Sequence, residues 1–254
     1  LDITVVDPWP ESLRLSRERY EAALGSAEHS IRFIYKMPSK QKVDLAIIAT
    51  TSDIRAKATK EFTKKNKVRY LILEKILFNK KKDYSDIEKI FIKNNIKAWV
   101  NCPIRTLPFY QGLKDKLTGK VLFYAHSGKA VLMGSAIHYA DYMAYLTGST
   151  DFEVDTSYLI RPIPSRRKDF LELSGTLILR FKNKGQAIFN FSAERESPII
   201  IDISDDLNIR AIVRDSENKA WISSRDSEWK WNEENAPFLM QSQITNILAE
   251  KILK

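Results

Sequence analysis

The residues best suited to chemistry are a lysine at the end of an apolar strand and a histidine on a later helix. Lys75 follows Glu74 and the apolar run 71–73, and His138 lies in a helical pattern that ends before Gly148. An ammonium group can hold a substrate oxygen, and an imidazole can exchange a proton with it near neutral pH. The pair is typical of redox chemistry on an alcohol.

The first half of the chain alternates apolar runs with helical patterns. Strands are predicted at 3–6, 43–50, 69–73 and 98–102. Helices are predicted at 53–65, where Asp53 is the expected N-cap and Ile54, Ala58 and Phe62 the apolar face, and at 85–94. Strand–helix–strand units of this kind form right-handed crossovers and a parallel, doubly wound sheet.

Polar residues follow these strands, where doubly wound sheets bind their ligands. The predicted cofactor-binding residues are Asp7, Thr50, Thr51, Ser52, Glu74, Lys75 and Asn101. Asp7 would accept hydrogen bonds from an adenosine ribose, which favours NAD(H) over NADP(H) because a second anion would be repelled. The alternative for Asp7 is an acid that begins the turn before Pro8.

The pattern changes in the second half of the chain. Short strands are predicted at 121–125, 176–181, 186–193, 198–203 and 207–213, with helices at 131–146 and 241–253. Short strands divided by turn residues indicate an antiparallel sheet. The sequence therefore predicts an α/β parallel-sheet domain over 1–104, followed by an α+β domain over 105–254 with a mainly antiparallel open sheet.

Composition and charge restrict the possible classes. The net charge is +9, and the span 36–97 holds 17 Lys or Arg against 7 Asp or Glu, which solvated helix faces explain better than a nucleic-acid surface. No apolar run reaches the roughly 20 residues that cross a bilayer, and no leader opens the chain. Cys102 is the single cysteine, so no intramolecular disulfide and no cysteine-based zinc site is predicted, and a cytoplasmic location is expected. No metal-binding residues are predicted.

Four segments, in order, resemble motifs of the Gfo/Idh/MocA oxidoreductases, named for glucose–fructose oxidoreductase and inositol dehydrogenase. They are a T-x-x-D/H helix start at 50–53, an E-K-P motif at 74–76, an R-x-x-P-x-Y segment at 105–110 and an H-x-x-D helix at 138–141. The resemblance implies a Rossmann domain that binds NAD(P)(H), and a second domain whose open sheet forms homo-oligomers. It also implies hydride transfer at a hydroxyl or keto carbon of a sugar, sugar derivative or polyol, with surface-polysaccharide metabolism in the family's range.

The resemblance also assigns roles to single residues. Lys75 would hydrogen-bond the reacting oxygen, and His138 would act as the acid–base group. Arg105 lies in the third motif, while Asp141 shares a helix face with His138 and could orient the ring or serve only in packing. Arg166, in the basic segment 165–168, could bind an anionic sugar or phosphate, or belong to a solvated loop.

Three departures from the family pattern leave an alternative open. Gly134 stands four residues before His138, where the family often has an aspartate, and Ile76 replaces the motif's proline. The residues begin at what resembles the second Rossmann strand, so the first strand and its G-x-G-x-x-G turn either precede Leu1, which is the favoured explanation, or are absent. The alternative function is therefore a catalytically inactive Rossmann-like protein that binds a ligand or partner.

Overall fold

The computed structural model describes residues 1–23, 30–128, 132–160, 162–165, 170–182, 184–192, 196–239 and 241–253. The chain divides into two compact units, Leu1–Trp99 and Val100–Lys254.

The first unit alternates strands and helices, as the sequence predicts. Its elements, with the strand that crosses the unit boundary, are β1 (Asp2–Val6), α1 (Pro10–Ala23), β2 (Ser30–Ile34), β3 (Lys42–Ile48), α2 (Ser52–Lys65), β4 (Lys67–Leu73), α3 (Lys81–Asn94) and β5 (Lys97–Val100). The described strands form two sheets, β1–β2 and β3–β4–β5. The pairs β1–β2 and β3–β4 are both parallel.

Strand β4 is the most buried strand of this unit because it lies in the middle of its sheet. Leu71, Ile72 and Leu73 are all buried, and Ile87 of α3 packs into the same core. A continuous apolar run is typical of a parallel strand that is covered on both faces. This packing places the end of β4, and with it Lys75, on a rigid element.

Helix α2 differs in two respects from the sequence prediction. Its N-cap is Thr51, and Asp53 lies in the first turn instead. Ile54 is 49% exposed, whereas Arg55, Ala56 and Thr59 are buried. The predicted apolar face was therefore wrong at its first position, because Arg55 finds carbonyl partners inside the unit that hydrophobic periodicity cannot reveal.

The second unit is built on one large sheet. Its elements are α4 (Pro108–Lys116), β6 (Val121–Ser127), α5 (Leu132–Thr147), β7 (Phe152–Leu159), β8 (Ile163–Pro164), β9 (Leu171–Glu172), β10 (Gly175–Phe181), β11 (Gly185–Phe191), β12 (Ile200–Asp205), β13 (Ile209–Arg214), β14 (Lys219–Ser224), β15 (Trp231–Asn235) and α6 (Gln241–Leu253), with 3₁₀ turns at Ile104–Thr106, Asp215–Glu217 and Arg225–Ser227. The strand order is β15-β14-β13-β12-β6-β11-β10-β7. Among the pairs that the described strands form in this sheet, only β6–β11 is parallel, which confirms a mainly antiparallel sheet.

Helix α5 covers one face of this sheet, which we call the inner face. Tyr139 lies 5.7 Å from the Phe123 ring and 6.0 Å from the Phe189 ring, measured between centroids. Gly148 follows the helix with φ of 63°, a left-handed conformation that suits glycine at a helix end. The core thus fixes the helix that carries His138.

The opposite face of the sheet, which we call the outer face, presents a cross-strand row. Neighbouring strands place side by side, in order, Ile178, Ile188, Tyr124, Asp202, Ile212 and Trp221. Leu122 lies on the same face and is 43% exposed. The outer face is therefore largely apolar, with an acid in the middle of the row.

Candidate functional site

The carboxyl ends of β3 and β4 lie side by side in the first unit. The Glu74 amide donates to Ile48 O at 3.1 Å and so extends the ladder by one residue. The Lys75 amide donates to Glu74 Oε2 at 3.0 Å. Lys75 is half-buried, and the Lys75–Ile76 peptide bond is cis. The structure thus places Glu74 and Lys75 at the strand end where the sequence predicts them.

The residues after β3 offer hydroxyl groups at the same end of the sheet. Thr50, Thr51 and Ser52 are half-buried. The Thr51 carbonyl accepts the Arg55 amide at 2.9 Å, while a hydrogen bond from the Thr51 side chain lowers the pKa of Asp53. The buried Thr50 hydroxyl has no hydrogen-bond partner within the described part of the chain.

Arg55 is the residue of this site that sequence reasoning missed. Its side chain is buried, and its guanidinium donates to the carbonyls of Thr50, Ile76 and Leu77. Arginine on a surface helix is normally taken for a solvated residue, so no periodicity marks it. The only signal in the sequence is its position, five residues after Thr50 and beside the predicted site.

The other two predicted cofactor residues lie on other elements. Asp7 follows β1, and its Oδ1 accepts the Trp9 amide at 2.8 Å, so part of this carboxylate stabilises the turn. Asn101 follows β5, is buried and belongs to the second unit.

In the second unit, three predicted substrate residues lie on two neighbouring elements that pack together. Arg105, on the first 3₁₀ turn, forms an ion pair with Asp141 of α5, with 3.2 Å between Nε and Oδ2. Burial raises the pKa of Asp141, and the charge of Arg105 opposes that shift. His138 is half-buried on the same helix, with Gly134 one turn before it. Asp141 thus orients Arg105, a pairing that the sequence did not predict.

A buried network lies beside α5. The Tyr110 hydroxyl donates to Asp215 Oδ1 at 2.9 Å, and the Tyr142 hydroxyl donates to the Tyr110 carbonyl at 2.8 Å. Burial raises the pKa of Asp215, although the hydrogen bond from Tyr110 opposes the shift. Burial, reinforced by Asp215, also raises the pKa of Tyr110. These hydrogen bonds tie α5 to α4 and to the 3₁₀ turn at Asp215–Glu217.

The donors at the strand ends suit a nucleotide cofactor. Hydroxyls at 50–52 and the Lys75 ammonium can donate to phosphate, ribose and carboxamide oxygens, and the ends of parallel strands are where such ligands bind. The described residues contain no cluster of His, Cys, Asp and Glu that could hold a metal ion. Arg166 lies outside the described residues. None of the described helices combines the length and the apolar character that a membrane span requires.

Comparisons with known proteins add a fold relationship. No family model matches the chain, and no curated protein does. Among solved structures, UDP-N-acetylglucosamine 3-dehydrogenase GnnA from Acidithiobacillus ferrooxidans is 13% identical with a TM-score of 0.70, covering 100% of this chain and 89% of that one. An oxidoreductase from Agrobacterium radiobacter, in complex with NAD+, L-tartaric acid and magnesium, is 16% identical with a TM-score of 0.64, covering 98% and 78%.

A third structure extends this group. It is a putative NADPH-dependent oxidoreductase from Desulfitobacterium hafniense, 9% identical with a TM-score of 0.69, covering 99% of this chain and 86% of that one. The TM-scores of 0.64 to 0.70, reached at identities of 9% to 16%, show that these proteins and this chain share a fold.

Proposed function

We propose that this chain, which has the two-part fold of the Gfo/Idh/MocA-type oxidoreductases, is a nicotinamide-dependent oxidoreductase. The observation that carries the proposal is Lys75 at the end of β4, half-buried and preceded by Glu74, in a fold shared with dehydrogenases. The substrate would be a sugar, sugar derivative or polyol, oxidised at a hydroxyl or reduced at a keto carbon. A role in surface-polysaccharide metabolism is consistent with the UDP-N-acetylglucosamine dehydrogenase among the similar structures.

The cofactor would contact the strand ends of the first unit. Thr50, Thr51, Ser52, Glu74 and Lys75 would hold it there, with Asp7 and Asn101 as further contacts. Asp7 favours NAD(H), because its carboxylate would accept ribose hydroxyls and repel a ribose phosphate. When bound, the nicotinamide supplies the hydride acceptor or donor.

The protein's own residues would manage the proton and the substrate. Lys75 would donate a hydrogen bond to the reacting oxygen. His138 would take the hydroxyl proton during oxidation and return it during reduction, without help from a carboxylate at position 134. Arg105, oriented by Asp141 through Nε, would direct its remaining N–H groups to a substrate oxygen. Arg166 stays a predicted substrate contact.

Two assays test this function. Calorimetry should detect NAD(H) binding more tightly than NADP(H), and absorbance at the nicotinamide band should report turnover over a panel of sugars, nucleotide sugars and polyols. Lys75→Ala and His138→Ala should each lower kcat about 100- to 10,000-fold, the usual contribution of a positioned acid–base group. Lys97→Ala, an exposed lysine that begins β5, and Met133→Ala on the exposed side of α5 are the matched controls.

The results separate the function from the site. Binding of neither nucleotide would contradict the oxidoreductase and favour a protein that binds another ligand. Turnover that survives both alanine variants would keep the activity and remove Lys75 and His138 from its chemistry.

We also propose that the outer face of the large sheet pairs with a second copy of the chain. The cross-strand row from Ile178 to Trp221 and the exposed Leu122 form an extended apolar surface, of the kind that marks an interaction site. Small molecules and other copies of the chain are thus the expected partners, and nucleic acid is not.

A further inference from the structure

Arg55 is a charged residue in an environment that normally excludes charge. Its exposure is 2%, although arginine is almost never fully buried unless its donors are satisfied. The guanidinium keeps its charge at every pH at which proteins are folded, so the structure around it has to supply acceptors. A residue this costly to bury indicates a task that a smaller apolar residue could not perform.

The acceptors are three main-chain carbonyls at two neighbouring strand ends. Nη2 donates to the carbonyl of Thr50, two residues after the end of β3, and Nη1 donates to the carbonyls of Ile76 and, at 2.9 Å, Leu77. The planar guanidinium presents its N–H groups in a rigid fork, so one side chain can hold two segments in a fixed relation. Lysine, with a single nitrogen, could not span the same acceptors.

The carbonyls of Ile76 and Leu77 belong to the two residues immediately after Lys75. On the other side, the main chain is held by the bond from the Glu74 amide to Ile48 and by the bond from the Lys75 amide to Glu74. Arg55 therefore completes a clamp: β3 fixes the residue before Lys75, and α2 fixes the two residues after it. Lys75 lies between these two points of attachment, so the position of its side chain depends on both.

We infer that Arg55 is a positioning residue for Lys75. It holds the 76–77 main chain against α2, so that the Lys75 ammonium leaves the sheet edge in one direction. This inference rests on the proposed function for its catalytic consequence, but the placement of Lys75 can be measured without turnover. A displacement of about 1 Å at a reacting group can cost on the order of 100-fold in rate, so loss of the clamp should be visible in kcat.

The first test observes Lys75 directly. Reductive ¹³C-methylation of lysines gives one NMR signal for each dimethylamine, and the Lys75 signal is assigned by its absence from Lys75→Arg. In Arg55→Gln, whose side-chain amide cannot reach all three carbonyls, the Lys75 signal should move towards the position of exposed lysines. Thr59→Val is the matched control, because the buried Thr59 hydroxyl donates to the Arg55 carbonyl of the same helix and not to the Lys75 segment.

The second test is kinetic. Arg55→Gln and Arg55→Lys should lower kcat about 10- to 100-fold. Thr59→Val, by contrast, should lower Tm with little effect on kcat. Should Arg55→Gln fail to fold, Arg55→Lys takes its place in the NMR experiment, with its added signal identified in Arg55→Lys/Lys75→Arg.

The outcomes keep the two proposals apart. An unchanged Lys75 signal in the Arg55 variants, or an equal loss of kcat in Thr59→Val, would overturn the positioning role. A moved signal in a protein that binds no nicotinamide nucleotide would retain the positioning role and remove the oxidoreductase.

Discussion

At the scale of single residues, burial and one hydrogen bond act in opposite directions on the pKa of the Asp215 carboxyl group. Burial raises the pKa of Asp215, and the bond from the Tyr110 hydroxyl offsets only part of that shift. The folded protein thus binds a proton at Asp215 more tightly than the unfolded chain does. Its contribution to stability is complete below the ordinary pKa of 3.8 and is lost as pH rises through the raised value.

We therefore expect Asp215→Asn to be more stable than the native protein at pH 7, with a difference that shrinks as pH falls to 4. The amide oxygen can still accept from Tyr110, and the charge is gone. Tyr110→Phe should act in the opposite direction and cost about 1–3 kcal/mol at pH 7, because it leaves a buried acceptor without its donor. Urea unfolding at both pH values measures this, with the exposed Asp151→Asn as control. A pH-independent difference for Asp215→Asn would contradict the assignment.

At the scale of elements, the loop after α4 packs against the turn between β12 and β13. A Cβ at Gly119 would lie 2.1 Å from Asp206 Oδ1 and 3.1 Å from Leu207 Cγ. The Asp206 carboxylate is not free to move aside, since its Oδ1 accepts the Lys120 amide at 2.8 Å. The close approach of two loops therefore requires glycine at position 119.

Gly119→Ala should destabilise the protein by about 1–3 kcal/mol, the usual cost of overpacking. Gly112→Ala is a well-matched control, because a Cβ there would meet nothing within 4 Å and Gly112 lies in α4. Alanine at a helical position should leave stability unchanged or raise it by up to about 1 kcal/mol. Thermal unfolding of both variants measures the change in stability. Equal melting temperatures of the two variants would show that the loops adjust to a Cβ at position 119.

The same junction depends on the charge of Asp205. Burial alone would raise the pKa of Asp205, but the amides of Asn208, Gly119, Thr118 and Ile209 outweigh that effect and hold the pKa at about 2. The native pKa is lower than the ordinary value of 3.8, so this stabilisation is complete above that value and is lost as pH falls towards 2.

Asp205→Asn should therefore cost about 1–3 kcal/mol at pH 6, because its amide group would face N–H donors where the carboxylate accepts them. The gap to the native protein should narrow at pH 3. Urea unfolding at the two pH values measures the change, and the exposed Asp226→Asn should leave stability unaltered. A gap that widens on acidification would contradict this account.

Elements were more predictable than the contacts between them. Helix α5 and its closing Gly148 were confirmed, because a long apolar pattern and a glycine both act locally. Helix α1 and strand β7 escaped prediction, since α1 is mostly polar and β7 leaves Val154 and Tyr158 exposed. The reversal at Ile54 and Arg55 also escaped prediction, because two of the carbonyls that hold Arg55 belong to Ile76 and Leu77, which only the fold brings close to α2.

The same distinction between local patterns and contacts applies to the residues of the candidate site. Lys75 and His138 could be selected from residue type and motif order, and the structure places each on the element that was expected. The pairing of Arg105 with Asp141 joins two elements far apart in sequence, so it depends on packing that no local pattern records. The element on which a single residue lies was therefore predictable from the sequence, whereas a pairing between two distant residues was not.

At the scale of the whole molecule, the outer face of the large sheet is the surface that we propose pairs with a second copy of the chain. Helix α5 covers only the inner face, while the outer row from Ile178 to Trp221 stays open in the described structure. Leu122 is 43% exposed beside this row, and burying it against a second copy would remove apolar surface from water. The same step would surround Asp202, whose pKa is already raised by desolvation against the opposing charge of Arg210.

Leu122→Lys should therefore weaken self-association at least about tenfold, because each copy would have to bury an ammonium group in an apolar contact. Sedimentation velocity over a range of concentrations measures the change. Ile92→Lys is the matched control, since Ile92 is 76% exposed on α3 of the first unit and should leave association unchanged. Association should also strengthen as pH falls through the raised pKa of Asp202, because protonation removes the charge that the interface would bury. A protein that remains monomeric at every concentration, or a Leu122→Lys variant that associates like the native chain, would show that the outer face serves another purpose.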